Sequence, residues 1–318
     1  MPKLYVNDLI KNRNEQMNEM ILKAERDYHS QIQKLAKSLV RNKDIHIVLL
    51  AGPSGSGKTT TANMLKDKII NNGRTADVVS LDNFYKNREE YPLDENGKPD
   101  WETVYALDIE LVKKCLKEIN ENGKTNIPIF DFPTQKRSEK VEKIDVGKDG
   151  VLIIEGLHAL NPVFTDDLNS ENLFKVFVSV STGIKNDEET EIISGIEIRM
   201  FRRTTRDSIY RGFSGANTLG VWQSVLDGEL KYLYPYKPLA DCKINTFHSF
   251  EVFVYADYIR NEMANDIEEM KPSKFFPAYK KLLELPGISA DDLPATSLIK
   301  EFVPGGIYAK IYKGEKDE

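Results

Sequence analysis

The chain has 318 residues, a formal net charge of −6, 40 % hydrophobic and 30 % charged residues. That length holds one large or two ordinary domains and the composition allows a core of normal size, while the acidic balance argues against a mainly nucleic-acid-binding role, which needs a basic face. Cys115 and Cys242 support neither a disulfide framework nor a zinc site. The chain opens without a signal-peptide apolar core, and no apolar run reaches the length of a membrane span, so a cytoplasmic protein with no nucleic-acid or membrane partner is expected.

Apolar residues recur at helical spacing from Met17 to Val40, which predicts one long helix over 14–43. The stripe suits a helix packed on the domain that follows or a dimerising helix, so a homo-oligomer stays open. The pattern then changes to short, nearly continuous apolar runs: "IHIVLLAG" (45–52), "ADVVSLD" (76–82), "VLIIEG" (151–156) and "FKVFVSVS" (174–181), with "NIPIFDF" (126–132) a weaker strand candidate. Such runs read as buried parallel strands. Helical stretches alternate with them, which predicts an α/β, doubly wound parallel sheet. From 194 to 232 the chain reads as arginine-rich helix, "CKINTF" as a last strand, and 249–270 as a further helix before a tail punctuated by proline and glycine. The expected organisation is an N-terminal helical segment (1–44), an α/β domain (45–248) and a C-terminal helix and tail (249–318).

"AGPSGSGKTT" (51–60) lies between a predicted strand and a predicted helix, and Gly52 to Thr59 fits the phosphate-loop pattern G-x-x-x-x-G-K-[ST] throughout. Gly52, Gly55 and Gly57 let the backbone curl, so that the N–H groups of Ser54, Ser56 and their neighbours through Thr60 can point at phosphate oxygens. The helix start adds its positive end. Lys58 would reach the terminal phosphates, and the Thr59 hydroxyl would hold Mg²⁺. A guanine-reading N-K-x-D late in the fold is missing, and "VLIIEG" ends in Glu155 and Gly156 rather than the Asp-Glu of motor and transporter ATPases. Small-molecule kinases remain the best-supported class. Asp82 in "SLDNFY" follows the second strand, where a carboxylate can take or orient the proton of an attacking hydroxyl. Helix capping is an equally good use of an Asp there.

With "SLDNFY", "PIFDFPTQKR", "VLIIEGLHAL" and "RRTTRDSIYRG" following the phosphate loop in that order, the chain resembles the uridine kinase and phosphoribulokinase family over residues 45–247, most closely its nucleoside kinase branch. The resemblance implies a phosphate-loop kinase fold with a helical lid and an activity that moves the γ-phosphoryl group of ATP, with Mg²⁺, to a hydroxyl of a small acceptor. It implies that Asp82 is the catalytic carboxylate and that Glu155 is the acidic residue of the metal and phosphate site, with Thr59 and Asp82. Tyr85 would stand beside the sugar, and Glu102 in "DWETVYALD" would hold ribose hydroxyls. Arg203, Arg206 and Arg211 match lid arginines, which can clamp a transferring phosphoryl group; "IRMFRRTTRDSIYR" taken alone also reads as a solvated basic face.

The "FDFPTQKR" segment departs from the pyrimidine nucleoside pattern. Phe130 stands where tyrosine is typical and Gln135 where histidine is, with Phe132 between them, and Phe213 replaces another usual arginine of the lid. A site built to hydrogen-bond a group discriminates strongly, so a different sugar, polyol or sugar-phosphate acceptor is the alternative to a uridine- or cytidine-like nucleoside. A nucleotide-binding regulator without transfer chemistry is the further alternative. His158, just past Glu155, reads as pocket lining.

Overall fold

The structure, a computed structural model, describes residues 4–93, 97–131 and 134–308. The long first helix, α1 (Val6–Arg41), starts eight residues earlier than its apolar stripe suggests, with a non-helical residue at Gln16 (φ −144°, ψ 41°) that bends it. Its buried face, from Met20 to Leu39, lies in the same hydrophobic cluster as the second helix and the C-terminal helices. The turn after α1 is held by Arg74. This buried guanidinium donates to the carbonyls of Leu39 (2.6 Å), Asn42 (3.0 Å), Asp149 (2.5 Å) and Ile45.

The apolar runs form strands. β1 (Ile47–Ala51) is followed by the phosphate loop, by α2 (Lys58–Asn71) and by β2 (Ala76–Ser80). The connection after β2 carries short 3₁₀ turns and leads to α3 (Ile109–Asn122), capped by the Asp108 side chain on the Leu111 N–H. Next come β3 (Lys124–Asp131), β4 (Lys136–Asp145), β5 (Val151–Glu155) and β6 (Leu173–Ser179). A small ribbon of β7 (Ile184–Lys185) and β8 (Glu191–Ile193) precedes α4 (Gly195–Arg211) and α5 (Gly215–Tyr232). The chain ends through β9 (Cys242–Asn245), α6 (Glu251–Glu262), α7 (Asp266–Met270) and α8 (Phe276–Leu283).

The central sheet has the order β2-β5-β1-β6-β9, with all neighbours parallel. β1 lies at its middle and is buried on both faces: Val48 and Leu50 enter the cluster that contains α1 and α2, Ile47, Leu49 and Ala51 the one that contains α3. This is the strand alternation of a two-sided sheet. Because the strands run the same way, β1, β2 and β5 deliver their following residues to one edge, where doubly wound folds bind ligands.

Two expectations need correction. The 126–132 run does not join the central sheet. β3 pairs antiparallel with β4 in a separate hairpin, with a register shift between Pro128 and Phe130, where proline has no N–H to donate. The helix expected over 249–270 is two helices. α6 ends at Glu262, and Asp266, at the start of α7, turns its carboxylate to the Gly215 N–H at the head of α5 (2.9 Å).

Arg74→Met removes the donors of several buried carbonyls at once and is expected to lower stability by about 2–4 kcal/mol. A urea-unfolding midpoint equal to that of the parent protein would show that these bonds are not holding the α1–β1 junction.

Candidate active site

The phosphate loop connects β1 to α2, and its shape depends on glycine. Gly57, the residue before α2, has φ +82°, a left-handed conformation that β-carbon sterics disfavour. At Gly52 a β-carbon would lie 2.2 Å from the Val178 carbonyl oxygen. The loop's carbonyls are turned outward and tied down. Arg199 donates to Ser54 O (2.9 Å), Arg202 to Gly55 O (3.2 Å) and the Thr246 hydroxyl to Ser56 O (2.7 Å). Both arginines are buried and doubly bonded to buried carboxylates, Arg199 to Glu229 (2.7 and 2.9 Å) and Arg202 to Glu251 (2.7 and 3.0 Å). Glu229 also accepts from the Ser54 N–H (2.8 Å), and Ser54 Oγ accepts from Arg203 (2.8 Å). The Ser56 hydroxyl is buried without a partner among the described residues.

Lys58, Thr59, Asp82 and Glu155 come together at the sheet edge. The Thr59 hydroxyl donates to Glu155 Oε1 at 3.3 Å, and the Lys58 ammonium rests on the Pro53 carbonyl at 3.3 Å. Ser80, last in β2, is in register with Glu155, last in β5. The Ser80 hydroxyl accepts from the Asp82 N–H (3.3 Å), starting the 3₁₀ turn Leu81–Phe84 that carries Asp82 beyond the strand. Burial, with Asp82 and Glu301 nearby, pushes the Glu155 carboxyl up to about 7, although Lys58 opposes the shift. Asp82 keeps solvent access; its surroundings nonetheless move its pKa upward by desolvation, against the pull of Lys58 and Arg211.

Beyond Asp82 the cleft is aromatic and acidic. The Tyr85 ring lies 5.7 Å from that of Phe130 and 6.0 Å from that of Tyr91, and its hydroxyl donates to Trp101 O (3.3 Å). Glu102 is raised by burial and feels Arg203, Asp100, Glu229 and Asp82, so these groups share one neighbourhood. Asp100 accepts from the Glu102 N–H (3.0 Å) and from the Tyr232 hydroxyl (3.2 Å). Gln135 stands at the hairpin turn with a left-handed backbone (φ +54°), and among the described residues no hydrogen bond joins it to the other candidates. Phe132 lies outside the described residues.

Arg203, Arg206 and Arg211 converge on Asp207. Arg206 donates to its carboxylate at 2.7 and 3.0 Å, Arg203 lies 3.2 Å from it and Arg211 3.5 Å. α4 begins with a capping box between Ser194 and Glu197 and ends at the left-handed Gly212. Phe213, just beyond, is exposed.

Residues 47–252 match the model of the Phosphoribulokinase / Uridine kinase family. The chain belongs to that family. Uridine kinase of Limosilactobacillus reuteri is 28 % identical over 177 residues, covering 56 % of this chain and 72 % of that protein. Uridine kinase of Staphylococcus aureus is 26 % identical over 226 residues, covering 71 % and 94 %. A solved structure described as a possible uridine kinase from Bacillus stearothermophilus has a TM-score of 0.45 and 18 % identity, covering 68 % of this chain and 97 % of that one. The family-level activity is that of a kinase acting on a small molecule. No helix among the described residues is long and apolar enough to cross a membrane.

Within this family member, several residues that position the site escape a reading of the sequence. Arg199 and Arg202 brace the phosphate loop, yet in "IEIRMFRRTTR" nothing separates them from Arg203 and Arg206 except which helix face each occupies. Asp207 gathers Arg203, Arg206 and Arg211. Arg137 fastens the β3–β4 hairpin to the loop after β2 through Asp108 (3.0 Å) and the carbonyls of Phe84 (3.2 Å) and Tyr85 (3.1 Å). Only its place in "PTQKR" draws attention to it.

His158 is buried against Tyr232 (6.0 Å between rings), and its Nδ1 has no partner among the described residues. Burial pushes its pKa down to about 4. The folded protein therefore holds this imidazole neutral while the unfolded chain protonates near pH 6.5. Stability is full above that pH and falls as pH drops toward 4. At pH 5 the loss is about 2 kcal/mol. His158→Gln is expected to flatten the Tm-versus-pH curve between pH 6.5 and 4.5; a slope equal to the parent's would contradict this.

Proposed function

We propose that this kinase transfers the γ-phosphoryl group of ATP to a hydroxyl of a nucleoside-like acceptor. The observation that carries the reading is the meeting of Lys58 and Thr59 from the phosphate loop with Asp82 after β2 and Glu155 at the end of β5. Lys58 and the first-turn N–H groups of α2 bind the donor phosphates. Asp82 orients the acceptor hydroxyl and takes its proton as the oxygen attacks; desolvation makes it a stronger base than an ordinary aspartate. Arg203 and Arg211 stand over the same cleft, where guanidinium groups stabilise the spreading charge of the phosphoryl group and help exclude water.

The donor set fits magnesium. Among the described residues no group of three or more histidine, cysteine or carboxylate side chains is arranged to hold a metal ion, and Mg²⁺ characteristically binds through one or two carboxylates together with substrate phosphates and waters. Thr59, Glu155 and Asp82 would hold it. It would neutralise charge on the phosphate oxygens.

Tyr85 and Glu102 support a ribose-containing acceptor, with a ring to lie against the sugar and a carboxylate to accept from its hydroxyls. A second reading, a sugar, polyol or sugar-phosphate acceptor, is favoured by Phe130, which packs on Tyr85 without a phenolic hydroxyl to offer a base. Transfer from γ-labelled ATP across uridine, cytidine, purine nucleosides, pentoses, polyols and sugar phosphates separates the two. Labelled pyrimidine nucleoside supports the first, and label only on a compound without a base supports the second. Asp82→Asn is expected to bind ATP as the parent does while transfer falls about 10²–10⁴-fold; undiminished transfer would refute its assigned role.

A further inference from the structure

The first turn of α2 offers N–H groups with no partner inside the helix. The Thr61 N–H already reaches Gly57 O at 3.0 Å. The Thr60 N–H is met by a residue 241 positions away: Glu301 Oε2 accepts from it at 3.1 Å. Glu301 ends the 3₁₀ turn Leu298–Glu301, whose first N–H groups are capped by the Ser297 hydroxyl. Leu298 lies over the phosphate loop, with its Cδ1 2.7 Å from where a β-carbon of Gly57 would be. The Phe302 ring sits 5.1 Å from the guanidinium of Arg202, which braces Gly55. Further on, the Tyr308 hydroxyl donates to Asp67 of α2 at 2.7 Å. The C-terminal segment is thus clasped along α2 and closes over the end of the phosphate loop.

We propose that Glu301 is an internal competitor for the nucleotide's phosphates, and that it gives up the Thr60 N–H when nucleotide binds, which loosens the turn 298–303 on the head of α2. The inference rests on the proposed function, because it takes the loop to be a nucleotide site. Glu301 and a phosphate both only accept hydrogen bonds, so one N–H in the first turn of α2 cannot serve the two at once. They also repel as like charges near a helix end that attracts either one. Leu298, Ile299, Phe302 and Val303 are buried in the core, so the movement is that of the Glu301 side chain and its turn, with Leu298 and Phe302 as the anchors. Simple capping of α2 accounts for the bond to Thr60. The helix dipole favours its charge as well, so capping and competition differ in whether Glu301 and the nucleotide exclude one another.

Calorimetric titration of Mg²⁺–ADP into the full-length protein and its Glu301→Gln and Glu301→Ala variants tests the idea. Loss of the charge is expected to tighten binding about tenfold, equivalent to about 1.4 kcal/mol, with Glu301→Ala at least as tight as Glu301→Gln. Amide hydrogen exchange on the unmodified protein is the second measurement and needs no variant. Saturating ADP is expected to increase exchange across 298–303. Unchanged or weaker ADP binding by both variants, or exchange over 298–303 that slows with ADP, would overturn the proposal. Lys58→Ala is the control for the underlying reading: if it binds ADP as well as the parent, the loop is not the nucleotide site, whatever Glu301 does. Binding seen only in the Glu301 variants would mean that the segment blocks the site outright, the strongest form of the proposal. No binding by any of these proteins would remove both the proposal and the nucleotide site it rests on.

Discussion

The site depends on the outward bracing of the phosphate loop. A chain can present successive N–H groups to one anion only if its carbonyls face elsewhere and find donors there. Here the donors are Arg199, Arg202 and Thr246, which reach the carbonyls of Ser54, Gly55 and Ser56. Two buried guanidinium groups would be costly alone, but each is bonded twice to a buried carboxylate, Glu229 or Glu251. The value of such pairs lies less in net stability than in defining one geometry, since removing either partner strands a buried charge. α4 and the segments carrying Glu229 and Glu251 are thereby locked to the loop, so the helix that carries Arg203, Arg206 and Arg211 is also the loop's scaffold.

That double role explains how α4 divides its arginines. Arg199 and Arg202 lie on its buried side and reach the loop backbone. Arg203, Arg206 and Arg211 gather around Asp207, with Arg203 also touching Ser54. A cluster of cations held by one carboxylate keeps a net positive charge close to the phosphate loop. That local excess stands against a net charge of −6 for the chain.

The phosphate loop, its strand and its helix were legible because the signal is local: an apolar run, a glycine pattern and a helix start within about twenty residues. The placement of Asp82 was legible because the fold class brings residues just after its parallel strands to one edge, while Glu155, the last residue of β5, was marked by the family resemblance. The β4 strand was not. "KRSEKVEKID" is solvated on both faces of a two-stranded hairpin, so it lacks the alternation that marks a half-buried strand. The roles of Arg199, Arg202 and Asp207 were hidden because helix phase relative to a distant loop is a tertiary fact. Glu301 was least accessible of all: its partner, the Thr60 backbone, lies 241 residues away and has no side-chain signature.

The acidic residues around the loop share an electrostatic logic. Asp82, Glu155 and Glu301 lie close enough that Asp82 and Glu301 both raise Glu155, and burial raises it further, until it titrates near neutrality. Lys58 offsets this only in part. Carboxylates brought together this way store repulsion in the folded protein, and a protein tolerates that where something else is meant to relieve it. Under the proposed function two events do so. Thr59, Glu155 and Asp82 would hold a divalent cation whose charge would offset the Asp82–Glu155 repulsion, and release of the Thr60 N–H by Glu301 would take the third charge from the head of α2. Nucleotide affinity would then depend on Glu301 as well as on the glycines and lysine of the loop, which ties the C-terminal segment to the site although it lies beyond the residues matched by the family model.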